Sequence, residues 1–137
     1  MDRGFEALDE FHARQRGALE LAYIGDSVYE CCVRTRLVLQ GGGRMKALHR
    51  AAVSQVRAEY QARALQRLEP LLTPLEADVC RRARNASPGS MPKHASPGDY
   101  HAATALEALV GYLYLSGQRA RLGELMDVAL DAPDDAQ

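Results

Sequence analysis

The 137-residue sequence predicts an all-α domain of about six helices, on the basis of composition and periodicity. Apolar residues make up 47% of the chain, and alanine and leucine, which are strong helix formers, are prominent among them. These residues recur with the 3.6-residue period of a helix along most of the chain, and no stretch shows sustained strand-like alternation. We expect one domain over residues 1–130 and a frayed tail over residues 131–137.

Caps and helix-breaking residues place the helix ends. A glycine run at 41–43 stops one helix, Thr73-Pro74 opens another, Ser96-Pro97 opens the next, and Gly117 ends it. The segment 86–98 is too rich in Pro, Gly and Ser to be helix or strand. The predicted helices cover residues 5–16, 19–40, 45–68, 74–85, 97–116 and 119–130.

Several classes of protein are excluded by the same sequence. The acidic N-terminus does not resemble a secretory signal, and no apolar run approaches the roughly 18 residues that span a bilayer. Cys31, Cys32 and Cys80 suit neither a disulfide framework nor a zinc site. We interpret them as reduced core residues of a cytoplasmic protein.

The net charge of −1 conceals a basic middle section. Residues 31–70 contain eight basic and two acidic side chains, whereas residues 1–30 contain three basic and seven acidic ones. This pattern is typical of a polyanion-binding face beside a carboxylate site. Ordinary solvated helix faces would explain it as well.

Two acidic residues stand within strongly apolar helices. Asp26 lies in the middle of residues 21–33, and Glu107 is the one acid of residues 102–115. A helix apolar nearly all round is predicted to be buried, and a buried carboxylate requires a cation or a basic partner. No basic residue lies within one turn of either acid, so a shared Mg²⁺ is one solution. Structural ion pairs with Arg34 or Arg57 are another, and an exposed helix edge is a third.

Two glycines support a close approach of these helices. Glycine inside a helix costs about 1 kcal/mol relative to alanine, so it often marks tight packing. Gly25 precedes Asp26, and Gly111 lies one turn after Glu107. We therefore expect the two helices to cross near these positions and to bring the acids together.

The same residues resemble the motifs of the ribonuclease III family. Ala-Tyr-Ile-Gly-Asp-Ser-Val-Tyr-Glu at 22–30 resembles its signature, and Thr-Ala-Leu-Glu-Ala-Leu-Val-Gly at 104–111 resembles its second acidic motif. With its length, Arg84-Asn85-Ala86 and the Lys93 loop, the chain most resembles Mini-ribonuclease III. That branch has the catalytic domain without the usual double-stranded-RNA-binding domain.

The resemblance implies a ribonuclease III-like homodimer that hydrolyses phosphodiester bonds in double-stranded or structured RNA. Asp26 and Glu107 would be its catalytic and metal-binding residues, with Mg²⁺ as the cofactor, Mn²⁺ as a substitute and no nucleotide cofactor. The implied substrate is the precursor of large-subunit (23S) ribosomal RNA, and no membrane is involved. The alternative is a duplex-RNA-binding dimer on the ribosome that does not cut.

Two departures from full-length ribonuclease III reduce the number of acids. Ala22 and Thr104 stand where that family has a glutamate and an aspartate, so the metal should be held more weakly and through more waters. Glu30 and Thr104 are candidates for hydrogen bonds that support the metal ligands, although an exposed helix position is the simpler reading of Glu30. The RNA-binding candidates are Arg57, Arg81, Arg84, Asn85 and Lys93.

Overall fold

The protein is described by a computed structural model that covers residues 7–41, 43–86 and 96–131. Across these three ranges the regular structure is entirely helical, which confirms the predicted all-α class. The seven α-helices are α1 (Glu10–Gln15), α2 (Ala18–Leu39), α3 (Met45–Val56), α4 (Ala58–Leu68), α5 (Pro74–Arg84), α6 (Pro97–Leu115) and α7 (Arg119–Asp131), with a short 3-10 turn at Glu69–Leu71.

Most helix ends lie where the caps predict them. The backbone N–H of Glu76 donates to the Thr73 hydroxyl (3.1 Å), and the Glu76 carboxylate accepts from the Thr73 backbone N–H (2.9 Å). Ser96 caps α6 in a similar way by accepting from the backbone of Asp99 (3.1 Å). These side chains satisfy backbone donors that a helix leaves unpaired at its first turn. Much of the predicted 86–98 loop lies outside the described residues.

The first helix is shorter than predicted. It begins at Glu10, and the described residues before it, 7–9, are not helical. Asp9 is the N-cap, since its carboxylate accepts a hydrogen bond from the backbone N–H of His12 (2.8 Å). The apolar pattern continues on the N-terminal side of Asp9, so it predicted a start of the helix earlier than its cap.

The predicted single helix over 45–68 is wrong, because the chain breaks at Arg57 into α3 and α4. Arg57 has an extended backbone (φ −71°, ψ 149°). The carbonyl of Gln55, which would accept from Glu59 in a continuous helix, instead accepts from the Tyr29 hydroxyl at 2.7 Å. Helix α3 packs on α2, whereas α4 packs on α6 and α7. The break allows α3 and α4 to pack on different helices, and the Tyr29 hydroxyl satisfies the Gln55 carbonyl that the break leaves without a helical partner.

Helix α6 forms the centre of the molecule. It is buried over most of its length and packs against α2, α4, α5 and α7. Its interface with α2 is the most extensive in the described part of the chain. The core around it is built mainly from Leu, Val and Ala with a few tyrosines, as the composition predicts. Helix α6 is thus the element that positions the others.

Helices α2 and α6 cross with their backbones in contact. A Cβ atom on Gly25 would collide with the carbonyl oxygen of Glu107, and one on Gly111 would collide with the carbonyl oxygen of Leu21. Glycine is required at both positions because any side chain would push the two backbones apart. The close approach predicted from these glycines is confirmed.

Helix α2 is buried on one side only, so the expectation of a helix buried nearly all round is wrong. Leu21, Gly25 and Tyr29 face the core, whereas Tyr23 is 84% exposed. The expectation for the cysteines is corrected in the same way. All three are free, but Cys31 on this outer side is exposed, and only Cys80 is fully in the core. Four large apolar residues of α2 are exposed, namely Leu19, Tyr23, Val38 and Leu39.

No helix within the described ranges combines the length and the apolar character needed to cross a membrane.

Replacing Gly25 with alanine should destabilise the protein by about 3 kcal/mol, because the new methyl group meets rigid backbone rather than a flexible side chain. Urea unfolding followed by circular dichroism would measure this. The control is Gly98→Ala in the first turn of α6, where a Cβ meets open space. Its stability should stay within about 0.5 kcal/mol of the wild type. Equal effects of the two substitutions would contradict the proposed crossing.

Candidate active site

The crossing of α2 and α6 brings Asp26 and Glu107 together. Asp26 directly follows Gly25, and Glu107 supplies the backbone carbonyl against which Gly25 packs. The two carboxyl groups are close enough to share a hydrogen bond when one of them is protonated. Two acids separated by about 80 positions in sequence therefore form one site.

The two acids differ in their exposure to solvent. Asp26 is exposed, which corrects the expectation that it is buried, whereas Glu107 is half-buried. Burial, and after it the charge of Asp26, raise the pKa of Glu107 to about 8. A hydrogen bond from Gln61 opposes the shift. The pair is thus an unfavourable arrangement of negative charge when no cation is present.

The structure does not show the ion pairs of Asp26 and Glu107 with Arg34 or Arg57 that the sequence left open. Arg34 donates to Glu30 at 2.5 Å, and Arg57 lies 3.7 Å from Glu59. Both arginines are thus paired with other acids along the same stretch of chain. The exposure of Asp26 agrees with the third explanation, an exposed helix edge, for that acid alone. For the half-buried Glu107 beside it, a shared cation stays a prediction.

The site residues fit a hard divalent cation. Two adjacent carboxylates are ligands of the kind that Mg²⁺ prefers. A cation would offset both causes of the raised pKa of Glu107, which are the burial of its carboxyl group and the charge of Asp26. Among the described residues, no group of three or more His, Cys, Asp or Glu side chains forms a metal site. With two protein carboxylates, most coordination positions of such an ion would fall to water or RNA.

The other residues predicted for the metal site make different contacts. Glu30 accepts from Arg34, one turn later on α2, and its side chain is 41% exposed. The Thr104 hydroxyl donates to the backbone carbonyl of Tyr100 at 3.0 Å, within α6. Neither contact involves the carboxylates of the site. Support of the metal ligands by Glu30 or Thr104 stays a prediction.

The predicted RNA-binding residues fall in two places. Arg57 is at the break between α3 and α4, with its side chain 58% exposed. Arg81, Arg84 and Asn85 follow one another at the end of α5, where Arg81 pairs with an acid on its own helix and Asn85 is the C-cap. All four are exposed. Lys93 lies outside the described residues.

Gln61 on α4 is a residue of the site that the sequence analysis missed. Its side chain is buried, and Nε2 donates to Oε2 of Glu107 at 3.4 Å. The signal was present in the sequence as a polar residue on the apolar face of α4, beside Tyr60 and Leu65. With one continuous helix predicted over 45–68, nothing in the sequence indicated that this face of α4 would meet Glu107.

Comparison with known proteins agrees with this geometry. The Ribonuclease III domain model matches residues 19–118. "Mini-ribonuclease 3" of Symbiobacterium thermophilum is 51% identical over 113 residues, covering 82% of this chain and 87% of that protein. "Mini-ribonuclease 3" of Gloeobacter violaceus is 44% identical, covering 87% and 86%.

A solved structure shows the same fold. The crystal structure of a protein from Fusobacterium nucleatum superimposes with a TM-score of 0.77 at 27% identity, covering 86% of this chain and 94% of that one. The matched domain includes both acids and both glycines of the helix crossing. The chain therefore belongs to the ribonuclease III family, within its Mini-ribonuclease III branch, and is an endoribonuclease.

Proposed function

We propose that the protein hydrolyses phosphodiester bonds in double-stranded or structured RNA, with Mg²⁺, or Mn²⁺ as a substitute, held by Asp26 and Glu107. The observation that supports this proposal is the convergence of the two carboxylates at the glycine-lined crossing of α2 and α6. We further propose that residues 1–130 act as one catalytic domain.

Each acid has a distinct part in this proposal. Asp26 is exposed, so it would meet solvent or RNA directly, and the half-buried Glu107 would be the second residue to hold the ion. Both must be ionised to bind it, so ion binding displaces the proton that Glu107 otherwise retains. When bound, such an ion offsets charge on the phosphoryl oxygens and lowers the pKa of water.

RNA binding is assigned to three exposed arginines, to the exposed Asn85 and to Lys93, which lies outside the described residues. Arg57 lies four residues before Gln61, close in sequence to the residue that contacts Glu107, and the arginines of α5 form a second group. A-form RNA is recognised through its phosphates, its 2′-hydroxyls and its wide minor groove rather than by sequence. We propose Arg57, Arg81, Arg84 and Asn85 as contacts, together with Lys93, and expect strong salt dependence.

The proposed substrate is the precursor of 23S ribosomal RNA, in the cytoplasm. The similarity to Mini-ribonuclease 3 proteins over most of the chain supports this choice. Three free cysteines are compatible with a reducing compartment.

A homodimer is proposed through the outer side of α2. Tyr23 is 84% exposed there. A groove between α2 and α7 is lined by apolar side chains that include Ile24, Val28, Leu122 and Met126. Burying such a surface against a second copy would remove apolar area from water, and a two-fold axis would give one site for each strand of the duplex.

Asp26→Asn and Glu107→Gln should each abolish cleavage, with a decrease in kcat of at least about a thousandfold, while the fold is retained. Gel analysis of long duplex RNA with purified protein and Mg²⁺ measures the rate, and circular dichroism checks folding. Glu10→Gln, at an exposed acid of α1, is the matched control and should remain active. A wild type that binds duplex RNA without cutting it over a broad range of pH and salt would contradict the proposal.

The metal-free protein should become less stable as the pH rises from about 5 to 8. In this window native Glu107 retains its proton, because its pKa is about 8, whereas the unfolded side chain titrates near its ordinary 4.5. The native state therefore binds more protons than the unfolded state, and the free energy of unfolding falls with increasing pH. Glu107→Gln removes this dependence, so the variant should gain about 1–3 kcal/mol on the wild type between pH 5 and pH 8.

Thermal unfolding with a chelator, and then with saturating Mg²⁺, measures both effects. Mg²⁺ should restore the stability of the wild type at pH 8 and leave Glu107→Gln unchanged. Glu10→Gln should follow the wild type. Equal stabilisation of the wild type and Glu107→Gln by Mg²⁺ would show that the ion binds elsewhere.

Tyr23→Asp should convert the dimer to a monomer at micromolar concentration, because it places a charge in the apolar face of α2. Sedimentation velocity measures the mass. Phe11→Asp is the control, since Phe11 is also an exposed aromatic residue (60%) but lies on α1 rather than on the outer side of α2. A wild type that is monomeric throughout, or a Tyr23→Asp protein that remains dimeric, would refute this interface.

A further inference from the structure

Gln61 is an anomaly on the buried face of α4. Its side chain is only 3% exposed, and it lies among apolar residues of the same face such as Tyr60, Ala64 and Leu65. Burying an amide costs about 1–3 kcal/mol unless its groups are hydrogen-bonded, so an apolar residue would be expected here. Departures from the local pattern of this kind are typical of functional positions.

The amide of Gln61 is directed at Glu107. Its Nε2 atom donates to Oε2 of Glu107 across the interface between α4 and α6, at 3.4 Å. This is long for an N–H···O bond, so its contribution to stability is small. Its effect is directional, since the amide fixes the oxygen that faces α4 while the same carboxyl group remains within reach of Asp26.

The chemistry of an amide suits this position. A lysine or arginine would also donate to Glu107, but its positive charge would neutralise the carboxylate and compete with a cation. An amide donates a hydrogen bond and leaves the negative charge in place. Carboxylates that bind metal ions are commonly held by such hydrogen bonds, and their removal typically weakens metal binding by about 10–100-fold.

The fold places Gln61 through the break in the chain at Arg57. Gln61 lies in the first turn of α4, where its backbone N–H donates to the carbonyl of Arg57 at 3.0 Å. Tyr29 of α2 supports the same break by donating to the carbonyl of Gln55. The break at Arg57 therefore sets which side of α4 faces α6, and with it the direction of Gln61.

We propose that Gln61 is a positioning residue, which orients the Glu107 carboxylate so that it and Asp26 bind one Mg²⁺ ion together. The inference rests on the proposed metal dependence of the site. Gln61 itself contacts neither the ion nor the RNA, and it acts on the reaction through Glu107.

The test compares two substitutions that remove this hydrogen bond in different ways. Gln61→Met keeps the length of the side chain without a donor, and Gln61→Asn keeps the amide but withdraws it by one methylene group. Gln66→Met is the matched control, because Gln66 is an exposed glutamine on the same helix. Binding of Mn²⁺ to the RNA-free protein is measured by electron paramagnetic resonance, and binding of Mg²⁺ by calorimetry.

Both variants should weaken metal binding by at least about tenfold, with a melting temperature that stays within a few degrees of the wild type. At low Mg²⁺ their kcat should fall by a similar factor while KM for duplex RNA changes less than twofold, and excess Mg²⁺ should restore kcat. Gln66→Met should match the wild type in all these measurements.

Three results would overturn the inference or its basis. Folded variants that bind the ions as tightly as the wild type would show that Gln61 does not position Glu107. Loss of the fold in both variants would assign Gln61 a purely structural role. A wild type that binds neither ion would instead refute the metal dependence, so the two failures are distinguishable.

Discussion

The contact between the backbones of α2 and α6 is the constraint on which the rest of the structure depends. Gly25 and Gly111 have no side chains to separate the two helices, so each backbone packs against a carbonyl of the other. Helix α6 can then be surrounded by α2, α4, α5 and α7, and most of its surface is removed from water. The geometry that closes the core also determines the distance between Asp26 and Glu107, so stability and the site share one cause.

Holding two carboxylates together costs free energy because their charges repel. The two side chains differ in how far solvent reduces this cost. Asp26 remains in solvent, where its charge is screened, whereas Glu107 is partly withdrawn from water, which raises its pKa. A divalent cation would convert this repulsion into attraction. A bound cation would relieve this repulsion, and the buried amide of Gln61 is the group that we propose directs the carboxylate on the core side.

Much of the site could be predicted from sequence because its signals are local. An acid inside an apolar helix and a glycine one turn away or directly beside it are visible without a structure, and Asp26, Glu107, Gly25 and Gly111 were identified in this way. Gln61 was not, because the sequence marks it only as a polar residue on an apolar face and does not tell which helix that face meets. Its importance depends on the neighbouring helix that its face meets, which is a matter of long-range packing.

The sequence by itself determined the helical class, most helix ends and the family, because hydrophobic period, caps and motifs are encoded within a few neighbouring residues. Only the tertiary structure decided that the chain breaks at Arg57, that Tyr23 is exposed and that Asp26 is open to solvent. These features depend on which faces of the helices find partners. Burial is a property of the assembled molecule, and the free energy of packing α3 and α4 on different neighbours exceeds the local preference for one continuous helix.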